Sequence, residues 1–110
     1  MKSTEDLVGE IVTVRTIVGE ELMGKLEGLA SNKTILELHG LRVVTLEPEG
    51  EVMLLPYTLT GQDDVIGLPT RHVLSIVQSM SDAAEGFRLE TNTDPTPEGP
   101  ANLGEDTFSL

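Results

Sequence analysis

Few side chains in this 110-residue sequence are equipped for chemistry, and they fall in three places. Arg71 and His72 stand together in "TRHVLSIV", after Pro69 and ahead of an apolar run. Asp63 and Asp64 sit in "TGQDDV", and His39 stands beside Gly40. A guanidinium next to an imidazole can hold a phosphate or a base edge by charge-assisted hydrogen bonds, more firmly when the imidazole is protonated. The plain alternative for such a pair is a solvated loop. Asp63 and Asp64 fit an Asx-type turn, because no third oxygen ligand stands at a recognisable spacing. His39 reads as a bulge residue.

Catalysis finds no support. There is no Ser-His-Asp order, metal-ligand spacing, phosphate loop or dinucleotide fingerprint, and His39 and His72 are the only histidines. The absence of cysteine excludes thiolate metal sites, cysteine catalysis and disulfides. No enzyme activity, cofactor or metal is expected. Tyr57 is the only aromatic residue before residue 79, so a nucleic-acid strand could not stack along this surface as it does on an aromatic platform. Recognition would rest on Arg71, His72 and backbone groups, and one such site is feeble unless it is repeated.

Composition is that of one globular domain, 38% hydrophobic with a mean hydropathy near zero. No window has the length of apolar sequence that spans a membrane, and "MKSTEDLVGE" lacks the apolar core of a signal peptide. A cytoplasmic location is the expectation. The formal net charge is −12, which repels nucleic acid unless the few cations are concentrated. Residues 79–110 hold Asp82, Glu85, Glu90, Asp94, Glu98, Glu105 and Asp106 against Arg88 alone, which is half of that net charge.

The elements that must position these residues are strands. Residues 1–78 alternate with a period of two in Val, Ile and Leu. "STEDLVG" reads as one helical turn capped by Ser3 or Thr4. Five strands follow, "GEIVTVRTI", "ELMGKLEGLA", "TILELHGLRVVTLE" interrupted at His39-Gly40, "EVMLLPYTLT" with Pro56 marking an edge or bulge, and "HVLSIV". A sheet of this size buries its apolar face only by curling onto itself. Gly19 suits the first turn, while Gly24 and Gly28 would let strand two bend and another backbone come close. The expected fold is all-β, a small, strongly bent antiparallel barrel at residues 1–78 with a short N-terminal helix. Residues 79–110 read as an acidic C-terminal tail, with a short helix at "SDAAEGFRLE" and irregular chain beyond it.

The run "LVGEIVTVRTIVGEELMGKLEGL" resembles the first motif of the Sm-like family, with Leu7, Val8, Gly9, Val12, Val14, Gly19, Gly24, Leu26 and Gly28 at matching spacings. "TRHVLSIV" is similar to the end of the second motif in the bacterial Hfq branch, where Arg71 matches a Lys or Arg and His72 a His. The likeness covers residues 6–38 well, whereas residues 39–70 have strand texture without an alignable motif. Sm-like proteins usually have an Asp after strand two, an Asn before strand three and a base-stacking residue between them; counted from Leu26, those positions here are Ala30, Lys33 and Thr34, and the Asp is absent. Asn32 and Lys33 still put an amide and a cation there.

The resemblance implies a homo-oligomeric ring, strand four of each subunit pairing with strand five of the next. The loops carrying Asn32, Lys33 and Thr34, and Arg71 and His72, would face a central pore and bind single-stranded RNA or DNA. The competing reading is a structural or protein-interaction ring of the same fold, whose acidic tail binds a basic partner protein. Net charge favours this second reading; Arg71 and His72 favour the first.

Overall fold

Val12, Val14 and Thr16 are buried on one face of strand β1 (Ile11–Thr16), while Thr13 and Arg15 stand opposite. The computed structural model describes residues 3–91, in which period-two patterning produces strands between residues 11 and 78. After the turn at Gly19 (φ +95°), β2 (Glu21–Ala30) pairs antiparallel with β1, and Arg15 meets its cross-strand partner Glu21 at 2.9 Å. Leu22 and Leu26 continue the buried face.

Between them lies Gly24, where an added Cβ would stand 3.1 Å from Leu41 Cδ1 and 3.3 Å from Leu38 Cβ. The missing side chain lets β3 (Ile35–Leu46) lie close against β2. The β2–β3 register shifts between Met23 and Lys25 and again between Leu26 and Gly28, so β2 bends on both sides of Leu26. The Leu26 N–H and C=O bond instead to Glu10 O at 3.0 Å and Gly9 N at 2.7 Å. Gly28 carries no comparable constraint, because a Cβ there would meet only Glu37 Oε1 at 3.5 Å.

Beyond β3 the strand plan differs from the five-stranded reading. Strand β4 (Val52–Pro56) pairs with the Arg42–Leu46 half of β3 and stops at Pro56, rather than running on through residue 60. The chain leaves the sheet and returns as β5 (Val65–Pro69), which pairs with the Ile35–His39 half of the same edge. In five residues, with Gly67 inside and Pro69 at the end, β5 has too little alternation to be read from sequence. Its register is set by the β3 edge it joins. A 3₁₀ turn at Thr70–His72 leads into β6 (Val73–Gln78), which pairs with β1.

The result is a six-stranded antiparallel sheet in the order β4-β3-β2-β1-β6, with β5 sharing the β3 edge. The expected closed barrel is therefore not formed: among the described residues no ladder joins β6 to β4 or β5.

Both faces of the sheet are covered in part. Leu7 from the N-terminal 3₁₀ turn (Thr4–Leu7) joins Val12, Val14, Leu22, Leu26, Leu36, Leu38, Leu41 and Leu68 in one core. On the other face Ile11, Met23 and Leu54 pack against helix α1 (Ser81–Thr91), which contributes Ala84 and the fully buried Phe87. The segment expected to begin a tail is thus folded onto the sheet as far as Thr91. Ser79 is buried, donates its N–H to Ile11 O at 2.9 Å and shares a 2.7 Å hydroxyl hydrogen bond with Thr13. The irregular part of the expected tail lies outside the described residues. No described helix is long and apolar enough to cross a membrane.

Phe87 is the side chain through which α1 is held, so Phe87→Ala should lower stability by about 3–5 kcal/mol. Urea unfolding followed by circular dichroism checks this, and a loss below about 1 kcal/mol would contradict the packing of α1 on the sheet.

Candidate nucleic-acid interface

The β2–β3 connection is a turn of unusual hand. Ser31, Asn32 and Lys33 have φ of 51°, 60° and 70°, three consecutive non-glycine residues in the left-handed region. Each such residue costs about 1–2 kcal/mol relative to right-handed backbone, least for Asn. The turn closes through the Thr34 N–H, which reaches Ala30 O at 3.1 Å and Ser31 O at 3.2 Å, while Thr34 Oγ1 donates to Ser31 O at 2.7 Å. Asn32, Lys33 and Thr34 are all exposed.

The second loop meets the first. Thr70 donates its N–H to Thr34 O at 2.8 Å and its hydroxyl to the same oxygen at 3.2 Å, extending the β3–β5 ladder beyond the Ile35–Pro69 pair. These two bonds join the loop carrying Asn32, Lys33 and Thr34 to the turn carrying Arg71 and His72. On its far side that turn is fastened to the end of β1, where Ile17 N–H donates to His72 O at 2.9 Å. The Arg71 and His72 side chains are exposed, and among the described residues no hydrogen bond or ion pair engages them. Their backbone is held on both sides while their side chains stay available.

Lys33 is not available in the same way, because its ammonium group is ion-paired to Glu5 on the N-terminal 3₁₀ turn. The pair lies at an open cleft of about 420 Å³ lined by Thr4, Glu5, Leu29, Lys33 and Thr70. Sequence reading missed Glu5, which is 28 positions from Lys33 in a segment with no local tie to it. Thr70 was also missed, although its place directly before Arg71 was a usable signal.

The remaining candidates lie elsewhere. His39 is the last β3 residue paired with β5, next to the bend at Gly40, and its Nδ1 is buried without a hydrogen-bond partner. Asp63 and Asp64 line a smaller cavity of about 210 Å³ with Arg42 and Tyr57, and Asp64 O accepts the Gly40 N–H at 3.0 Å. Among the described residues no three His, Asp or Glu side chains are grouped to hold a metal. Scans of this chain against protein-family models and against curated proteins find no match.

The left-handed turn makes a prediction of its own. Ser31→Gly should raise stability by about 0.5–1 kcal/mol, because glycine adopts this conformation freely and loses only part of that gain to its own entropy. Thermal and urea unfolding measure it. A destabilised variant would show that the turn is held by contacts of the Ser31 side chain.

Proposed function

We propose that this chain is a subunit of an Sm-like homo-oligomeric ring that binds single-stranded RNA or DNA without catalysing a reaction, as a cytoplasmic protein. The observation that carries this reading is the Thr34–Thr70 junction. It unites two loops that are distant in sequence and that the resemblance to Sm-like proteins names as binding loops. In this reading the bent open sheet is the family's small barrel with its seam unpaired.

The free edges support assembly. Among the described residues strand β6 pairs only with β1 and strand β4 only with β3, so within residues 3–91 each has unpaired backbone on its outer side. Leu74 and Val77 on β6 are 66% and 55% exposed, and Leu55 on β4 is 43% exposed. Pairing β4 of one copy with β6 of the next would satisfy both edges and cover those side chains, and repetition of one operator closes a ring. Each copy then adds Arg71 and His72 to one surface, which turns weak sites into an avid one.

One observation favours the protein-interaction ring. Of the cations on the joined loops, Lys33 is already neutralised by Glu5, in a chain whose formal net charge is −12. In that case the acidic C-terminal residues would engage a basic partner protein, and Arg71 and His72 would be ordinary loop residues.

Two measurements test the proposal, the first the ring that both readings share and the second the nucleic-acid binding that separates them. Light scattering at micromolar concentration should give a mass several times the 11.8 kDa of the chain, and a monomer would exclude the ring. Replacing Arg71 and His72 together by Ala should leave that mass unchanged and weaken oligo-U or oligo-A binding about tenfold or more. The log–log salt slope should become shallower by about 0.7 for each phosphate that the variant no longer neutralises. Unchanged affinity in the double variant would move the assignment to the protein-interaction ring.

A further inference from the structure

The ion pair that neutralises Lys33 joins two segments that are each pinned from below. On one side the 3₁₀ turn is capped by Ser3, with Asp6 N–H donating to Ser3 Oγ at 3.4 Å and Ser3 N–H to Asp6 Oδ2 at 3.3 Å. Its Leu7 is buried in the main core, so the turn is tied to the sheet. On the other side Lys33 sits in the left-handed turn closed by the Thr34 hydrogen bonds, beside the Thr70 junction. Neither backbone is free to drift. The Glu5 side chain nevertheless remains 53% exposed and the Lys33 side chain 69% exposed, so the pair can be opened by side-chain rotation alone.

We propose that Glu5 is a built-in competitor for the anion that Lys33 would otherwise take, so that a strand phosphate reaches Lys33 only by displacing the Glu5 carboxylate. The inference rests on the nucleic-acid reading above and concerns the regulation of that same interface. A phosphate entering the cleft meets Lys33 as an attractive charge and Glu5 as a repulsive one at the same point. The net local charge there is close to zero until Glu5 swings away. Arg71, which has no such partner among the described residues, keeps its attraction throughout. The interface thus has one standing cation and one that becomes available on demand, and Glu5 raises the threshold for weakly held anions. Among the described residues that line the cleft none duplicates this role, since Thr4, Leu29 and Thr70 are uncharged.

Glu5→Gln keeps the size and polarity of the side chain and removes its charge. Its expected effect on oligo-U or oligo-A binding at low salt is a gain of about two- to five-fold, the scale set by an exposed ion pair. The gain should be larger where one strand spans neighbouring copies. In a Lys33→Ala background the same Glu5→Gln change should give little or no gain, because the cation it releases is gone. An equal gain with and without Lys33 would reduce Glu5 to a general contributor of negative charge and overturn the proposal. So would wild-type affinity in Glu5→Gln. If both the wild-type protein and Glu5→Gln, each shown to be folded by its urea unfolding curve, fail to bind either oligonucleotide, the nucleic-acid reading falls and the competitor role with it. Binding by the wild type with no response to Glu5→Gln rejects the competitor role alone.

Discussion

The structure turns on residue 40 having no side chain. Gly40 holds φ at +69°, a left-handed conformation in the middle of the longest strand, and there β3 changes partners along its outer edge. On one side of it His39 still pairs with Val65 of β5; on the other Arg42 pairs with Pro56 of β4. The peptide groups at the junction keep their hydrogen bonds, since Gly40 N–H donates to Asp64 O and Leu41 O accepts the Tyr57 N–H at 3.2 Å. The same position admits α1: a Cβ there would lie 3.3 Å from both Phe87 Cζ and Thr91 Cγ2. A side chain at 40 would therefore strain the backbone and crowd the helix at once.

That bend organises burial on both faces. Because β3 turns at Gly40 and β2 turns at its two bulges, one side of the sheet becomes concave enough for Leu7 and the buried Val and Leu residues of four strands to meet, with partly buried Val73 and Ile76 of β6 against them. The opposite side would expose Ile11, Met23 and Leu54 if α1 did not cover them. Between helix and sheet the half-buried pair Arg42–Glu90, with Nε and carboxylate 3.6 Å apart, keeps a charge where apolar packing ends. Arg42 also donates Nη1 to the carbonyls of Gly40 and Leu41, so it braces the bend from the helix side. Among the described residues no further strand lies along the outer edge of β6 or of β4.

At the candidate interface, rigidity and availability are divided between backbone and side chains. Thr34 and Thr70 use their backbone and hydroxyl groups to hold two loops together, which leaves Arg71 and His72 exposed on a fixed base. The left-handed run Ser31-Asn32-Lys33 is the most strained stretch of described backbone. Strain of this kind persists only where surroundings impose it, and here the Thr34 and Thr70 hydrogen bonds supply the constraint.

By itself the sequence determined the strands β1, β2, β3 and β6, because their Val, Ile and Leu residues alternate with a period that only a pleated strand places on one face. It also marked the helix in "SDAAEGFRLE", the close approach at Gly24 and the break at His39-Gly40. Arg71 and His72 were legible as a pair because they are adjacent, as were Asn32, Lys33 and Thr34. That the two groups belong to one surface was decided only by tertiary structure, since it depends on the backbone and hydroxyl hydrogen bonds from Thr70 to Thr34 O, 36 positions apart. Strand β5 was likewise a tertiary decision, its five residues being ordered by the free edge of β3 rather than by their own pattern. The same holds for Phe87 and for Glu5. Local composition makes residues 79–91 look like acidic tail, and only the exposed apolar face of the sheet gives Phe87 a place to be buried. A carboxylate on a 3₁₀ turn has no sequence mark linking it to Lys33; the sheet brings them together, and charge does the rest.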